Sequence, residues 1–117
     1  MKQFPRIVCL CGSTRFSEAF RQANLEETLA GRIVLTIGCD MRSDGEMFAH
    51  LSEKEKAEVK LRLDWLHLRK IDLANEILVL NVGGYVGQST TREVKYARDL
   101  GKRVRWLEPE NIPDHLI

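Results

Sequence analysis

Four short apolar runs punctuate the chain, each followed within two residues by glycine or proline. They are Arg6-Ile7-Val8-Cys9-Leu10-Cys11 before Gly12, Ile33-Val34-Leu35-Thr36-Ile37 before Gly38, Ile77 to Val82 before Gly83, and Arg103 to Leu107 before Pro109. Continuous apolar runs of this length predict buried strands. Between them the period lengthens. Ser13-Thr14 offers a cap for a helix from Phe16 to about Ala30, with Phe16, Phe20 and Ala23 on one face, Leu25 and Leu29 flanking it, and Gly31 as its stop. Ser52-Glu53-Lys54-Glu55 fits a capping box, opening a Gly- and Pro-free stretch to about Ala74. Ala57, Val59, Leu61, Leu63 and Trp65 alternate there as in a strand, but length and composition favour a helix. A third helix is expected from Thr90 to Leu100, with Val94, Ala97 and Leu100 inward. Cys39 to Leu51 reads as a loop turning at Asp44-Gly45, and the tail to Ile117 as mostly coil.

The order β-α-β-α-β-α-β predicts an α/β domain over residues 1–117: a flavodoxin- or Rossmann-like three-layer sandwich on a parallel sheet of four or five strands. Right-handed crossovers give strand order 2-1-3-4, with the reversal between strands 1 and 3. Ligands bind such sheets outside the carboxyl ends of the strands, at that reversal. The loops expected there are Gly12-Ser13-Thr14-Arg15 and Gly83 to Ser89, the two most unusual in the chain.

Composition narrows the partners. Eighteen Lys and Arg face 17 Asp and Glu, and the two halves are each nearly balanced. A nucleic-acid polymer or a membrane surface calls for a basic excess or stripe, so a small molecule is the expected partner. No apolar run reaches the roughly 20 residues of a membrane span, and the first residues lack a signal-peptide pattern, so a cytoplasmic protein is expected. Cys9, Cys11 and Cys39 are read as reduced, mostly buried thiols without a base beside them. His50, His67 and His115 have no metal-ligand spacing with them, so neither a metal nor another cofactor is expected.

The glycine-rich loop leads into Ser89 and Thr90, whose hydroxyls and free amides at a helix start suit a phosphate or carboxylate. The loop lacks the Walker and dinucleotide fingerprints. Glu93, expected in the first helical turn, is a carboxylate able to attack a sugar carbon. Thr90-Thr91-Arg92-Glu93 equally fits a capping box, so the residues alone leave its role open. Arg15 could hold a phosphate with its planar fork, or be a solvated side chain beside a cap. Lys60, Asp64, His67 and Ile71 follow a three-four spacing that puts Asp64 and His67 on one face, as an acid–base pair or a plain polar surface.

Three segments resemble the nucleoside 2-deoxyribosyltransferase-like superfamily, which includes deoxyribosyltransferases and 2'-deoxynucleoside 5'-phosphate N-hydrolases. They are Cys11-Gly12-Ser13-Thr14-Arg15, Ala74-Asn75-Glu76-Ile77-Leu78-Val79-Leu80-Asn81, and Gly87 to Ala97 with Gly101-Lys102. The resemblance implies a flavodoxin-like domain with Glu93 as nucleophile on the anomeric carbon and a covalent glycosyl-enzyme intermediate. It implies phosphate contacts from Ser13, Arg15, Gly87 and Ser89, and assembly into dimers or larger homo-oligomers; Gly12, Gly84 and Tyr85 are further candidate binding residues of the two loops. The chain departs from that pattern at Asn75, where aspartate is usual, and at Arg92, where a small or apolar residue is frequent. The family's base-assisting aspartate falls near His67, with Asp64 one turn earlier. Met41, Arg42, Met47 and Phe48 are expected to cover a base or simply to pack the loop.

The expected activity is hydrolysis or transfer at the N-glycosidic bond of a nucleoside 5'-monophosphate, with Glu93, Asp64 and His67 as catalytic residues. The alternatives are a nucleotide-binding or sensor module without turnover, and an interaction protein that keeps only the fold.

Overall fold

The computed structural model describes residues 3–38 and 48–117. Its strands are β1 (Ile7–Cys11), β2 (Ile33–Leu35), β3 (Glu76–Val79) and β4 (Arg103–Trp106). Its helices are α1 (Ser17–Leu29), α2 (Glu53–Leu73) and α3 (Gln88–Asp99), with 3₁₀ turns at Val82–Gly84, Pro109–Asn111 and Asp114–Leu116. The four strands are all parallel in the order β2-β1-β3-β4. The α/β class and the strand order are therefore those expected, with four strands in the sheet.

Strand side chains alternate between faces. Val8, Leu10, Leu78 and Leu80 pack on Phe20 and Ala23 of α1. Cys9, Cys11, Ile77 and Val79 face the other way and meet Ile71 of α2 and Val94 and Ala97 of α3. The α1 face also carries ions. Glu76, almost fully buried, accepts from Arg6 Nε at 2.8 Å and from Arg105, which also bonds Glu27; Arg32 approaches Glu27 at 3.4 Å. Each buried carboxylate thus has cations beside it, as burial demands.

Local signals explain the helix ends. Ser52 caps α2 with both arms of the capping box, Glu55 N to Ser52 Oγ at 3.1 Å and Ser52 N to Glu55 Oε1 at 3.0 Å. The box fixes the helix start, so the alternating apolar pattern is not a strand; it leaves Leu61 70% and Trp65 59% exposed. At the other end Lys102 Nζ donates to the carbonyls of Ile71, Asp72 and Ala74 at 2.6–2.9 Å, filling the acceptors a helix C-terminus leaves open.

Several expectations are corrected. Helix α1 begins at Ser17 with Phe16 in the cap position and no side-chain cap; Ser13 Oγ instead accepts from Arg15 N, at 3.3 Å. Leu25 and Leu29 are 53% and 78% exposed, because a helix covering two short strands buries a narrow stripe. Leu100 follows α3 and points outward. The tail is ordered: Leu116 is buried in the core, and Asn81, also buried, donates to the carbonyls of Glu108 and Asn111 and accepts from Glu108 N. Cys39, Met41, Arg42, Asp44-Gly45 and Met47 lie outside the described residues. No helix among the described residues is long and apolar enough to cross a membrane.

Candidate active site

Helix α3 starts two residues earlier than the sequence pattern suggests, with Gly87 as N-cap and no side-chain cap bond. Its first residue is Gln88, so Ser89 and Thr90 carry unpaired first-turn amides. Glu93 then falls in the second turn. It cannot close a capping box there, and its carboxylate turns inward against α2, only 9% exposed.

Ser89 is the meeting point of two cations. Lys60 Nζ donates to Ser89 Oγ at 2.9 Å and the Arg92 guanidinium at 3.3 Å. Asp64 balances both, 3.5 Å from Lys60 Nζ and 3.6 Å from Arg92. Asp64, Leu68, Ser89, Arg92 and Glu93 line a small cavity of about 60 Å³. A wider groove of about 370 Å³ shares Arg92 with it and runs past Val86, Gly87, Gln88, Thr91 and His115.

His67 does not pair with Asp64. It is buried, and its Nε2 lies 3.5 Å from Cys9 Sγ, 3.5 Å from Cys11 Sγ and 3.8 Å from Glu93 Oε1. The expectation that no base stands beside the cysteines is thereby overturned: the i, i+2 pair on β1 presents both sulfurs to the face on which α2 lies. The group is electrostatically tight. The Cys11 thiol's hydrogen bond brings the Cys9 thiol down to about 6 against the opposing effect of burial, with His67 adding to the fall. The same bond and burial push the Cys11 thiol up. Burial lifts Glu93 to about 7, opposed by the charge of His67 and helped by Cys9 and Asp64. Burial alone would lower His67; its hydrogen bond to Cys9 and the charges of Cys9 and Glu93 outweigh that and raise it.

The remaining expected binding residues divide by role. Arg15 stacks over Tyr85, 4.3 Å from the ring centroid, and Phe16 meets the same ring edge-on. This joins the loop after β1 to the loop after β3 across the sheet reversal. Gly87 lies under the Tyr85 hydroxyl, where a Cβ would come within 3.1 Å of it. Gly12 is a packing residue, since a Cβ there would sit 3.2 Å from Leu80 Cβ. Gly84 has φ +83° and abuts the Asn111 carbonyl, so turn geometry requires it. Gly83 N donates to Glu108 Oε2 at 3.0 Å, which removes that amide from the anion-binding set.

Lys60 escaped the sequence reading as a site residue because its link to Ser89 spans 29 residues and two helices. The three-four spacing that placed it one turn before Asp64 was the available signal. Cys9 and Cys11 showed a same-face strand pair, but nothing in the spacing tied it to His67. No protein-family model, curated protein or solved structure matches this chain.

Proposed function

We propose that the protein cleaves, or transfers at, the N-glycosidic bond of a nucleoside 5'-monophosphate, with Glu93 as nucleophile. The observation that carries this reading is the shared cavity: a buried Glu93 carboxylate beside Ser89, Arg92 and Asp64 at the open start of α3. A nucleophilic carboxylate and a phosphate cradle within one cavity suit a small phosphorylated sugar better than either feature alone.

In this reading the 5'-phosphate takes the place of the Lys60 contact on Ser89. It is held by the Ser89 hydroxyl, the first-turn amides of α3, and the Lys60 and Arg92 cations. Arg15, on the facing loop, adds a second planar fork. The inner cavity is too small for a nucleotide, so only the sugar edge enters it and the rest lies in the wider groove. A Glu93 oxygen attacks the anomeric carbon; the bond to the base nitrogen breaks, and its electron pair leaves with the base. Once the phosphate has drawn Lys60 and Arg92 away, Asp64 in its protonated form gives its proton to the leaving base nitrogen, and its carboxylate takes a proton back from the water that resolves the intermediate. His67 faces Glu93 rather than the base, and its charge favours the ionised carboxylate. Water, or a second base, then displaces the sugar from Glu93. Pairing of two copies through the exposed Leu61, Trp65 and Leu73 of α2, in the cytoplasm, belongs to the same proposal.

The test is chromatographic detection of free base from a panel of ribo- and deoxyribonucleoside 5'-monophosphates, with wild type and Glu93→Gln in parallel. Release by wild type alone supports the reading. A folded wild type that one of these nucleotides stabilises thermally, yet that releases no base, is a binding module and overturns it.

A further inference from the structure

We propose that Cys9, Cys11 and His67 form a three-ligand binding site for a zinc-class metal ion. The three side chains come from β1 and α2, are all buried, and offer ligand atoms within 4.8 Å of one another. One nitrogen, His67 Nε2, is equidistant from two sulfurs, 3.5 Å from each. An imidazole nitrogen carries one proton or one lone pair, so it makes one good hydrogen bond to a thiol and not two. A shared centre accounts for the symmetry. Tetrahedral zinc with Zn–S near 2.3 Å and Zn–N near 2.05 Å requires an S···N edge of about 3.5 Å.

The fourth corner of the tetrahedron is left to water or another exogenous ligand. Glu93 Oε1 stands 3.8 Å from the same nitrogen. It does not come within ligand distance of all three donors, so Glu93 stands beside the centre rather than on it. The surroundings suit a soft cation. Ile71, Ile77, Val79, Val94 and Ala97 form a dry shell around the sulfurs. Two thiolates cancel the ion's double charge, which a low-dielectric site demands. Binding releases the thiol protons to solvent as the two metal–sulfur bonds form. The small cavity ends at Glu93, which neighbours His67. A loaded ion also sets a double positive charge beside the Glu93 carboxylate that would attack a sugar; this consequence rests on the glycosidic reading proposed above, whereas the binding site itself does not.

The experiment uses the full chain, freed of metal by chelator and reduced, and titrated with Zn²⁺ alone and then with Co²⁺ alone. One equivalent of Zn²⁺ per chain is expected, with a raised Tm. Co²⁺ is expected to give a thiolate charge-transfer band and the strong visible bands of a tetrahedral site. X-ray absorption of the wild-type zinc protein is expected to show two sulfur neighbours, which decides the matter even where ligand variants do not fold. Cys9→Ser and Cys11→Ser each lose the stoichiometric binding. A folded wild type that takes up no zinc, or takes it up without sulfur neighbours, overturns the proposal. Binding is read without nucleotide, so its failure leaves the glycosidic reading untouched, and loss of base release leaves this one untouched.

Discussion

The Lys60 ammonium donates to the Ser89 hydroxyl at 2.9 Å, joining the middle of α2 to the first turn of α3. This contact puts a cation where the helix amides already favour an anion. Lys60→Ala is expected to raise KM for a nucleoside 5'-monophosphate by roughly 10- to 100-fold, the worth of one charge-assisted hydrogen bond. Its effect on the unphosphorylated nucleoside is expected to be small. Steady-state kinetics on the matched pair checks this; equal losses on both would remove Lys60 from phosphate binding.

Glu93 is buried beside His67 and lines the cavity that Ser89 opens. Glu93→Gln is expected to lower kcat by about 10³-fold or more, as removal of a nucleophile does. The fold is expected to survive, since the amide keeps the shape and gives up a carboxylate that burial disfavours. Circular dichroism together with base release separates the two effects.

Gly12 belongs to the packing of the sheet against α1, where an added Cβ would lie 3.2 Å from Leu80 Cβ and 3.5 Å from the Phe20 ring. Gly12→Val is expected to destabilise the protein by about 1–3 kcal/mol through overpacking. Denaturant melts measure it. A stable variant with weakened nucleotide binding would return Gly12 to the binding loop.

Glu76 titrates in the native state below the usual carboxylate range. Burial pushes the other way, but the bonds from Arg6 and Arg105 prevail. A lowered native pKa means that the unfolded chain binds the proton more readily. The pair therefore contributes its full stability at neutral pH, and the contribution drains away as pH falls through and below the ordinary glutamate range. Glu76→Gln is expected to cost about 3 kcal/mol at neutral pH, the usual result of breaking a buried pair. The gap from wild type is expected to narrow in acid. A gap that stays constant down to pH 3 would contradict this.

The fold was legible because its signals are local. Runs such as Ile77 to Val82 name buried strands, and Ser52 with Glu55 names the start of α2. The handedness of parallel crossovers then orders the sheet. The candidate site was legible in part. Ser89 and Glu93 stood out because helix starts are read from neighbours in sequence, yet the start of α3 was placed two residues late. That displacement kept the capping alternative for Glu93 open, and only the three-dimensional position of Gly87 closes it. The association of His67 with Cys9 and Cys11 spans 56 to 58 residues and depends on how α2 rotates on the sheet. No spacing rule encodes that rotation, so Asp64 was the nearer partner on paper. Gly12 shows a related ambiguity, because a glycine beside a predicted ligand loop serves close packing as readily as close approach.

The most direct test of the central claim is to trap the glycosyl-enzyme intermediate. The protein is incubated with a 2'-fluoro-arabinonucleoside 5'-monophosphate, whose fluorine slows release of the sugar, and its intact mass is measured. The account predicts a mass increase of one fluorosugar phosphate, located on the peptide that carries Glu93 and absent from Glu93→Gln. An adduct on another residue, or free base released with no adduct at any time point, would contradict it.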